Sequence, residues 1–192
     1  MPSRLPPDAS GSVLAISGSS VIDAPIDTVW DVLLDFPAYH EWNPFVREQT
    51  VVTPASRPHA SQVPHEGSYL TLRVHLPPSF DAPRGFSLLS PSTTHLVIAV
   101  LEPENYRAAW TNRMPQWLMT TERWQWLTVV EGEEGGERRT KYESIEVFNG
   151  PAAWFVRWFV APYLRVAFKA MADGLKARAE EKARLNASGS SA

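Results

Sequence analysis

The sequence predicts an α+β fold in which a curved antiparallel sheet of about six to seven strands grips a long C-terminal helix. Two observations lead to this prediction. Several segments in the middle of the chain alternate apolar and polar residues, which is typical of half-buried strands. From Pro151 onward the apolar residues instead recur every three or four positions, which is typical of a helix. Two short helices are predicted directly after the first strand.

The first strand is predicted over Val13–Asp23, and helical sequence follows it at once. Pro25 ends the strand, because proline cannot donate to a sheet ladder but suits the first turn of a helix. The first short helix is predicted over Ile26–Leu34, where apolar side chains recur at helical spacing. A second short helix is predicted over Pro37–Trp42, and Pro44 ends it.

A long loop is predicted over Thr53–Gly67, which contains three prolines and no periodicity. After it, Ser68–Leu76 alternates cleanly between polar and apolar residues and is predicted as a strand. Further strands are predicted over Ser87–Leu89, His95–Glu102, Tyr106–Thr111, Thr121–Glu131 and Thr140–Phe148. The sequence EGEEGGE between the last two favours a hairpin turn, so the neighbouring strands are expected to be antiparallel.

The final helix is predicted over Pro151–Arg184, with a bend at Pro162. Residues 1–12 and 185–192 are small and polar and are predicted to be flexible tails of a single domain over 13–184. One stripe of apolar residues is expected to face the sheet: Ala152, Phe155, Val156, Phe159, Tyr163, Val166, Ala167, Ala170 and Gly174.

Composition argues against several classes of function. The net charge is −3 and no block of Lys or Arg is present, so a nucleic acid is not expected as a partner. With no cysteine, the chain forms no disulfide and no Cys-ligated metal site. His59 and His65 have no carboxylate at regular spacing, and the nucleotide-binding glycine motifs are missing, so neither a metal nor a cofactor is expected. The lack of a signal sequence or an apolar span predicts a cytoplasmic protein.

Three short motifs carry a resemblance to a known superfamily. Ala24–Trp30 reads AP-x-x-x-VW, Trp42–Pro44 reads WNP, and Phe148–Gly150 reads FNG just before the long helix. These motifs resemble the SRPBCC superfamily, whose members are also called START-like or helix-grip proteins. Within it the chain is most similar to small polyketide cyclase/dehydratase-like proteins and to coenzyme Q-binding START-like proteins. The resemblance implies an apolar cavity between the sheet and the final helix that binds a hydrophobic or aromatic small molecule.

Aromatic side chains are expected to line this cavity, because ring edges and faces add to the binding of such ligands. For several of them, including Trp30, Trp124 and Trp126, the alternative is a place in the hydrophobic core. The candidate ligand-binding residues are Trp30, Tyr39, Trp42, Trp110, Trp124, Trp126, Tyr142, Phe148, Phe155, Phe159 and Tyr163.

Three polar residues are candidates for catalysis: His40, Arg73 and Glu146. An imidazole exchanges protons near neutral pH, and His40 lies on the second short helix, where the mouth of the cavity is expected. The alternative for His40 is a solvated surface histidine. Arg73 is a candidate because the aromatic polyketide cyclases that this chain resembles carry an arginine on an inner strand face. Simple alternation instead points Arg73 toward solvent.

Glu146 shares a strand face with Phe148, so Glu146 is buried if Phe148 faces inward. A buried carboxyl needs a partner or a raised pKa. Arg123, Arg157 and hydroxyl groups of a ligand are candidate partners for Glu146, and the sequence does not choose among them.

Three functions remain open at this point. The first is a cofactor-independent cyclase/dehydratase-like enzyme that acts on a polyketide-like substrate. The second is a non-catalytic carrier or chaperone of a lipid, quinone or pigment. The third is an adaptor that binds a protein through the exposed part of the last helix. Two or more polar residues that converge inside the cavity would favour the enzyme, and an almost wholly apolar wall would favour the carrier.

Overall fold

The structure is a computed structural model that describes residues 5–81, 92–131 and 138–189. In the described residues a single curved sheet contains seven antiparallel strands. They are β1 (Leu14–Ile22), β2 (Val46–Val52), β3 (Tyr69–Val74), β4 (Ser92–Glu102), β5 (Arg107–Asn112), β6 (Thr120–Val130) and β7 (Arg139–Asn149). Their spatial order is β1-β7-β6-β5-β4-β3-β2, so the first strand pairs with the last and every other pair is sequential.

The helices lie where the sequence predicts them. They are α1 (Ile26–Leu34), α2 (Tyr39–Trp42, preceded by a 3-10 turn over Phe36–Ala38) and the long helix α3. α3 is a continuous helix of 39 residues. It consists of an α-helical start (Pro151–Phe155), a π-helical turn (Val156–Val160) and a second α-helical part (Ala161–Gly189). The predicted helix-grip architecture is therefore confirmed, and α3 continues beyond the predicted end at Arg184.

One strand, β2, is not predicted by the sequence pattern. β2 has its apolar residues at Val46, Val51 and Val52, with the polar segment REQT between them, so no clean alternation marks it. A register irregularity between Val46 and Glu48 disturbs its pairing with β3 and blurs the pattern further. The predicted strand over Ser87–Leu89 and most of the predicted turn EGEEGGE lie outside the described residues.

The side of α3 that faces the sheet differs from the predicted stripe. Phe155, Phe159, Tyr163 and Val166 are all exposed, so their predicted inward orientation is wrong. Almost every residue from Trp154 to Val160 is apolar, so the periodicity alone fits more than one side of the helix. The buried side consists of Ala153, Val160, Ala161, Leu164, Ala167, Phe168, Met171, Ala172, Leu175 and Ala179.

The π-helical turn lies immediately before Pro162. The Ala161 N–H donates to the carbonyl of Val156, five residues back, and Pro162 has no N–H to donate. The widened turn therefore lies where the ordinary helical hydrogen-bond ladder is interrupted.

Two glycines allow α3 to approach its neighbours closely. A Cβ atom on Gly18 of β1 would lie 3.1 Å from the carbonyl oxygen of Phe168. A Cβ atom on Gly174 of α3 would lie 2.5 Å from the carbonyl oxygen of Trp42. The second half of α3 is therefore packed tightly against β1 and α2.

The orientation of α3 predicts opposite outcomes for two phenylalanines on the same helix. Phe168 is 1% exposed and Phe159 is 59% exposed. Phe168→Ala should lower the free energy of unfolding by about 3–5 kcal/mol, because it leaves a cavity in the core. Phe159→Ala should change it by less than about 1 kcal/mol. Urea unfolding of both variants measures the difference, and equal losses would contradict the orientation described here.

Candidate functional site

A cavity of about 580 Å³ lies between the sheet and the first half of α3. This volume is in the range of small-molecule sites, roughly 300–1,000 Å³. Most of its wall is apolar: strand residues such as Leu72, Val74, Leu96, Trp110 and Phe148 form one side. Val156, Val160 and Leu164 of α3 form the opposite side. The cavity therefore suits a largely hydrophobic ligand.

Two charged residues face this apolar space from neighbouring strands. Arg123 of β6 and Glu146 of β7 are directly opposite each other in the strand register, and both border the cavity. Strand alternation brings Arg123 to the same side of β6 as Thr121, which also borders the cavity. The cavity wall thus carries one cation and one carboxyl group side by side, and a second cation, the exposed Arg113, also borders the cavity.

Arg123 is a buried cation with weak partners. Its side chain is 5% exposed, its Nη2 donates to the sulfur of Met171 at 3.2 Å, and its Nε has no hydrogen-bond partner. Its guanidinium lies 4.1 Å from the ring centre of Phe168, which supplies a cation–π contact. Among the described residues no carboxylate lies within 4.0 Å of it. A buried charge without a strong acceptor is costly, so this guanidinium is well suited to bind an anionic group of a ligand.

Glu146 is a carboxyl group kept in a poorly solvated place. It is half-buried because it borders the cavity. Burial raises the pKa of Glu146 above its ordinary value, and the positive charge of Arg123 opposes that rise. Glu146 accepts no hydrogen bond from any described residue. Its carboxyl group is therefore available to exchange a proton with a ligand.

A set of buried polar side chains lies behind Arg123. The Tyr142 hydroxyl donates to Gln125 Oε1 at 2.6 Å, and the Tyr39 hydroxyl donates to the Leu33 carbonyl at 2.6 Å. Burial raises the pKa of Tyr142, and the nearby Arg123 charge opposes this rise. Burial also raises the pKa of Tyr39. Both phenols are therefore neutral hydrogen-bond donors within the core.

Comparison with protein families identifies the group to which this chain belongs. The family model described as polyketide cyclase / dehydrase and lipid transport matches residues 14–180. The chain is a member of this family. The superfamily resemblance carried by the three sequence motifs is thereby confirmed.

The individual proteins that this chain resembles have low sequence identity to it. The chain is 27% identical over 185 residues to the oxopyrrolidines biosynthesis cluster protein O of Penicillium oxalicum, with 87% of each chain covered. Among solved structures, a hypothetical protein of Helicobacter pylori has a TM-score of 0.63 at 12% identity, covering 92% of this chain and 95% of that one. The Zhui aromatase/cyclase from Streptomyces has a TM-score of 0.60 at 12% identity, covering 88% of this chain and 94% of that one. The two structural similarities show a shared fold.

The structure brings three of the predicted site residues to the cavity of this family member, namely Trp110, Phe148 and Glu146. Four others are buried in the core and do not line it: Trp30, Tyr39, Trp42 and Tyr142. Trp30 packs edge-on against Tyr106, with ring centres 5.8 Å apart, and Tyr39 packs between Phe36 and Trp42. These four residues therefore belong to the hydrophobic core, which was the alternative to a place in the cavity wall.

Trp124 and Trp126 lie on the opposite face of the sheet from the cavity. They pack with Val100, Ala109 and Ile145 in a second apolar cluster. Because successive residues of a strand alternate between faces, Arg123 and Trp124 cannot both face the cavity. The expectation that these two tryptophans line the cavity is corrected.

The remaining aromatic candidates, Phe155, Phe159 and Tyr163, are exposed on the outer side of α3 and do not line the cavity. Two polar candidates also lie elsewhere. His40 is exposed, with its Nδ1 2.8 Å from the Pro37 carbonyl oxygen. Arg73 is exposed and forms an ion pair with Glu48 at 3.0 Å, on the solvent side that strand alternation indicates. The expected placement of these residues at the cavity is therefore corrected.

The sequence indicates Arg123 only as a candidate partner for Glu146. The cavity-facing side of β6 begins with Thr121, Arg123 and Gln125, which looks like a solvent face, while the opposite side carries two tryptophans. The register that aligns Arg123 with Glu146 is a long-range pairing that alternation alone does not reveal.

Two other features, a metal site and a membrane-spanning helix, are not found among the described residues. No three His, Cys, Asp or Glu side chains of residues 5–81, 92–131 and 138–189 lie close enough together to hold a metal ion. None of the helices in these residues is long and apolar enough to cross a membrane.

The raised pKa of Glu146 predicts how stability depends on pH. A carboxyl group whose pKa is higher in the folded state contributes stability below its unfolded pKa, and this contribution is lost as pH rises through the folded pKa. Gln cannot ionise, so the unfolding free energy of wild type minus that of Glu146→Gln should fall as pH rises from about 4 toward neutrality. Urea unfolding of both proteins across this range measures the trend. A difference that is constant or rises with pH would contradict the burial of this carboxyl group.

Proposed function

We propose that this protein is a cofactor-independent enzyme of the cyclase/dehydratase kind that acts on a polyketide-like substrate. The observation that carries the proposal is the pair Arg123 and Glu146, which face one apolar cavity from adjacent strands. An apolar ligand needs no buried charge in order to bind, and burying a cation and a carboxyl group together costs stability. Groups retained at such a cost are typical of catalytic sites.

Arg123 would stabilise negative charge on the substrate. When a proton leaves the carbon between two carbonyl groups, the electron pair moves onto a carbonyl oxygen as an enolate. A fixed guanidinium in a poorly solvated site stabilises such an oxygen more than water does. The guanidinium of Arg123 borders the cavity and supplies N–H donors for this purpose.

Glu146 would move the proton. As a carboxylate it takes the proton from the carbon, and the resulting enolate carbon forms a bond to a second carbonyl carbon of the folded chain. The protonated Glu146 then returns the proton to the new alkoxide, so the cyclisation is balanced without another reactant. The raised pKa of Glu146 brings it nearer to neutral pH, where a carboxyl group serves well as both base and acid.

The same pair would serve a dehydration. The carboxylate of Glu146 removes a proton from the carbon next to a hydroxyl-bearing carbon. A carbon–carbon double bond then forms as the C–O bond breaks, and the protonated Glu146 gives its proton to the departing hydroxyl group, which leaves as water. The apolar walls would hold a flexible substrate with its reacting carbons close together, which supplies much of the rate enhancement. Val156, Val160 and Leu164 of α3 and Trp110 of the sheet are placed to do this.

The similarities to known proteins support a substrate that belongs to a biosynthetic pathway. The family description includes polyketide cyclases and dehydrases, and the Penicillium relative takes its name from a biosynthetic gene cluster. The similarity to the Streptomyces aromatase/cyclase is one of fold, so the catalytic proposal depends on Arg123 and Glu146 rather than on that protein.

A second candidate function is a non-catalytic carrier or chaperone of a lipid, quinone or pigment. The apolar character of most of the cavity wall favours it, and the family description includes lipid transport. In this case Arg123 would hold an acidic head group of the cargo, and Glu146 would have no proton to transfer.

Turnover of the natural ligand separates the two functions. Native mass spectrometry of freshly purified protein would identify a co-purified ligand, and product formation would then be followed with that ligand. Glu146→Gln should lower turnover by about 10²–10⁴-fold, because it removes only the ability to ionise, while ligand affinity changes by less than about tenfold.

The matched control is Glu143→Gln on the same strand. Glu143 forms an ion pair with Lys141 on the other face of the sheet and should leave turnover unchanged. Wild-type turnover in Glu146→Gln would refute the catalytic role of Glu146. A wild-type protein that leaves its ligand chemically unchanged would establish the carrier instead.

A further inference from the structure

The first half of α3 exposes a continuous aromatic surface. We call it the aromatic face and define it as Trp154, Phe155, Trp158, Phe159, Tyr163 and Val166. Trp158 is 66% exposed, and its ring lies 5.9 Å from that of Trp154. The rings of Phe155 and Phe159 lie 5.0 Å apart. A contiguous exposed apolar surface of this kind marks a place that contacts something other than water.

The helix segment that carries the aromatic face has only positive charges. From residue 151 to residue 169 the charged residues are Arg157, Arg165 and Lys169, with no Asp or Glu, although the whole chain has a net charge of −3. Lys169 forms an ion pair with Asp173 just beyond this segment, and Arg157 donates to the Val13 carbonyl at 2.6 Å. Arg157 lies over the ring of Trp154, with its guanidinium carbon 5.5 Å from the ring centre. Arg165 lines the same shallow depression as Trp158. The cations therefore accompany the exposed rings.

The combination of exposed rings and positive charges argues against a second copy of the chain as the partner that covers the aromatic face. A two-fold pairing of the aromatic face with itself would bring the arginines of one copy close to those of the other. No carboxylate in the segment 151–169 would compensate their repulsion. Exposed Trp, Tyr and Phe side chains accompanied by Arg and Lys are instead well matched to the interface of an anionic bilayer.

We propose that the aromatic face docks the protein on the surface of an anionic lipid bilayer. The aromatic side chains would enter the boundary between head groups and acyl chains, and Arg157 and Arg165 would contact lipid phosphates. This inference goes beyond the proposed function and does not depend on whether the cavity is catalytic.

The aromatic face lies directly behind the cavity wall. Val156, Val160 and Leu164 line the cavity from the same stretch of α3. The turn before β6 lies against the start of this helix, because the Ala152 N–H donates to the Leu118 carbonyl at 3.1 Å. Trp117 on this turn is 76% exposed, and Met119 lines the cavity. A protein docked in this way holds its cavity next to the bilayer, on the other side of α3.

Sedimentation with lipid vesicles tests the proposal. Wild-type protein should bind vesicles of phosphatidylcholine with phosphatidylglycerol more tightly than vesicles of phosphatidylcholine alone, and added salt should weaken the binding. The double variant W154S/W158S should bind the anionic vesicles at least about tenfold more weakly. Its matched control is Leu185→Ser, which removes an exposed apolar residue of the same helix outside the aromatic face and should bind as wild type does.

A second pair of variants separates local charge from net charge. Arg165→Glu and Arg184→Glu change the net charge equally, and both residues are exposed on α3. Only Arg165→Glu should reduce the preference for anionic vesicles. Thermal unfolding of each variant, compared with wild type, checks that the fold is retained.

Three outcomes would overturn the proposal. The first is a wild-type protein that does not bind the anionic vesicles, and the second is equal binding by wild type and W154S/W158S. The third is a stable dimer in solution that W154S/W158S dissociates, because the aromatic face would then belong to an interface between two copies.

Discussion

The close approach of α3 to β1 is the contact on which the rest of the structure depends. Gly18 has no side chain, so the backbone of α3 at Phe168 packs directly on the first strand, and Gly174 makes a similar approach to Trp42. The second half of α3 is thereby fixed at one side of the curved sheet. Its first half lies across the open part of the curve, where the cavity forms. The cavity is a consequence of tight packing at one end only.

The same packing determines the character of the cavity. Phe168 and Met171, which belong to the tightly packed part of α3, cover the guanidinium of Arg123 and provide a ring face and a sulfur atom in place of a carboxylate. Glu146 on the adjacent strand is held where burial raises its pKa. A fixed positive charge beside a proton-exchanging carboxyl group is the chemistry that a cyclase or dehydratase needs. The mostly apolar rest of the cavity wall determines the shape of the ligand that fits.

The features that depend on neighbouring residues in the chain are predicted correctly from the sequence. Proline and helical spacing located α1 at Ile26–Leu34, and alternation located most of the strands. The features that the sequence does not predict depend on contacts between residues that are far apart in the chain. The tight packing of the second half of α3 decided which apolar side faces inward, and this left Phe159 outside. The strand register places Arg123 opposite Glu146, whereas the two tryptophans on the other face of β6 make that face resemble the wall of the cavity in the sequence.

Arg123 is a buried cation with no carboxylate within 4.0 Å among the described residues, and we infer that it binds the negative charge of a ligand in the apolar cavity. The most direct test of this inference compares two ligands of nearly equal shape, anthracene-2-carboxylate and the corresponding amide, by isothermal titration calorimetry. Wild type should bind the carboxylate at least about tenfold more tightly than the amide, since a charge-assisted hydrogen bond is worth roughly 1.5–3 kcal/mol. Arg123→Met should lose this preference, and Arg73→Met, at an exposed arginine outside the cavity, should keep it. A preference that survives in Arg123→Met, or that is missing from wild type, would contradict the account.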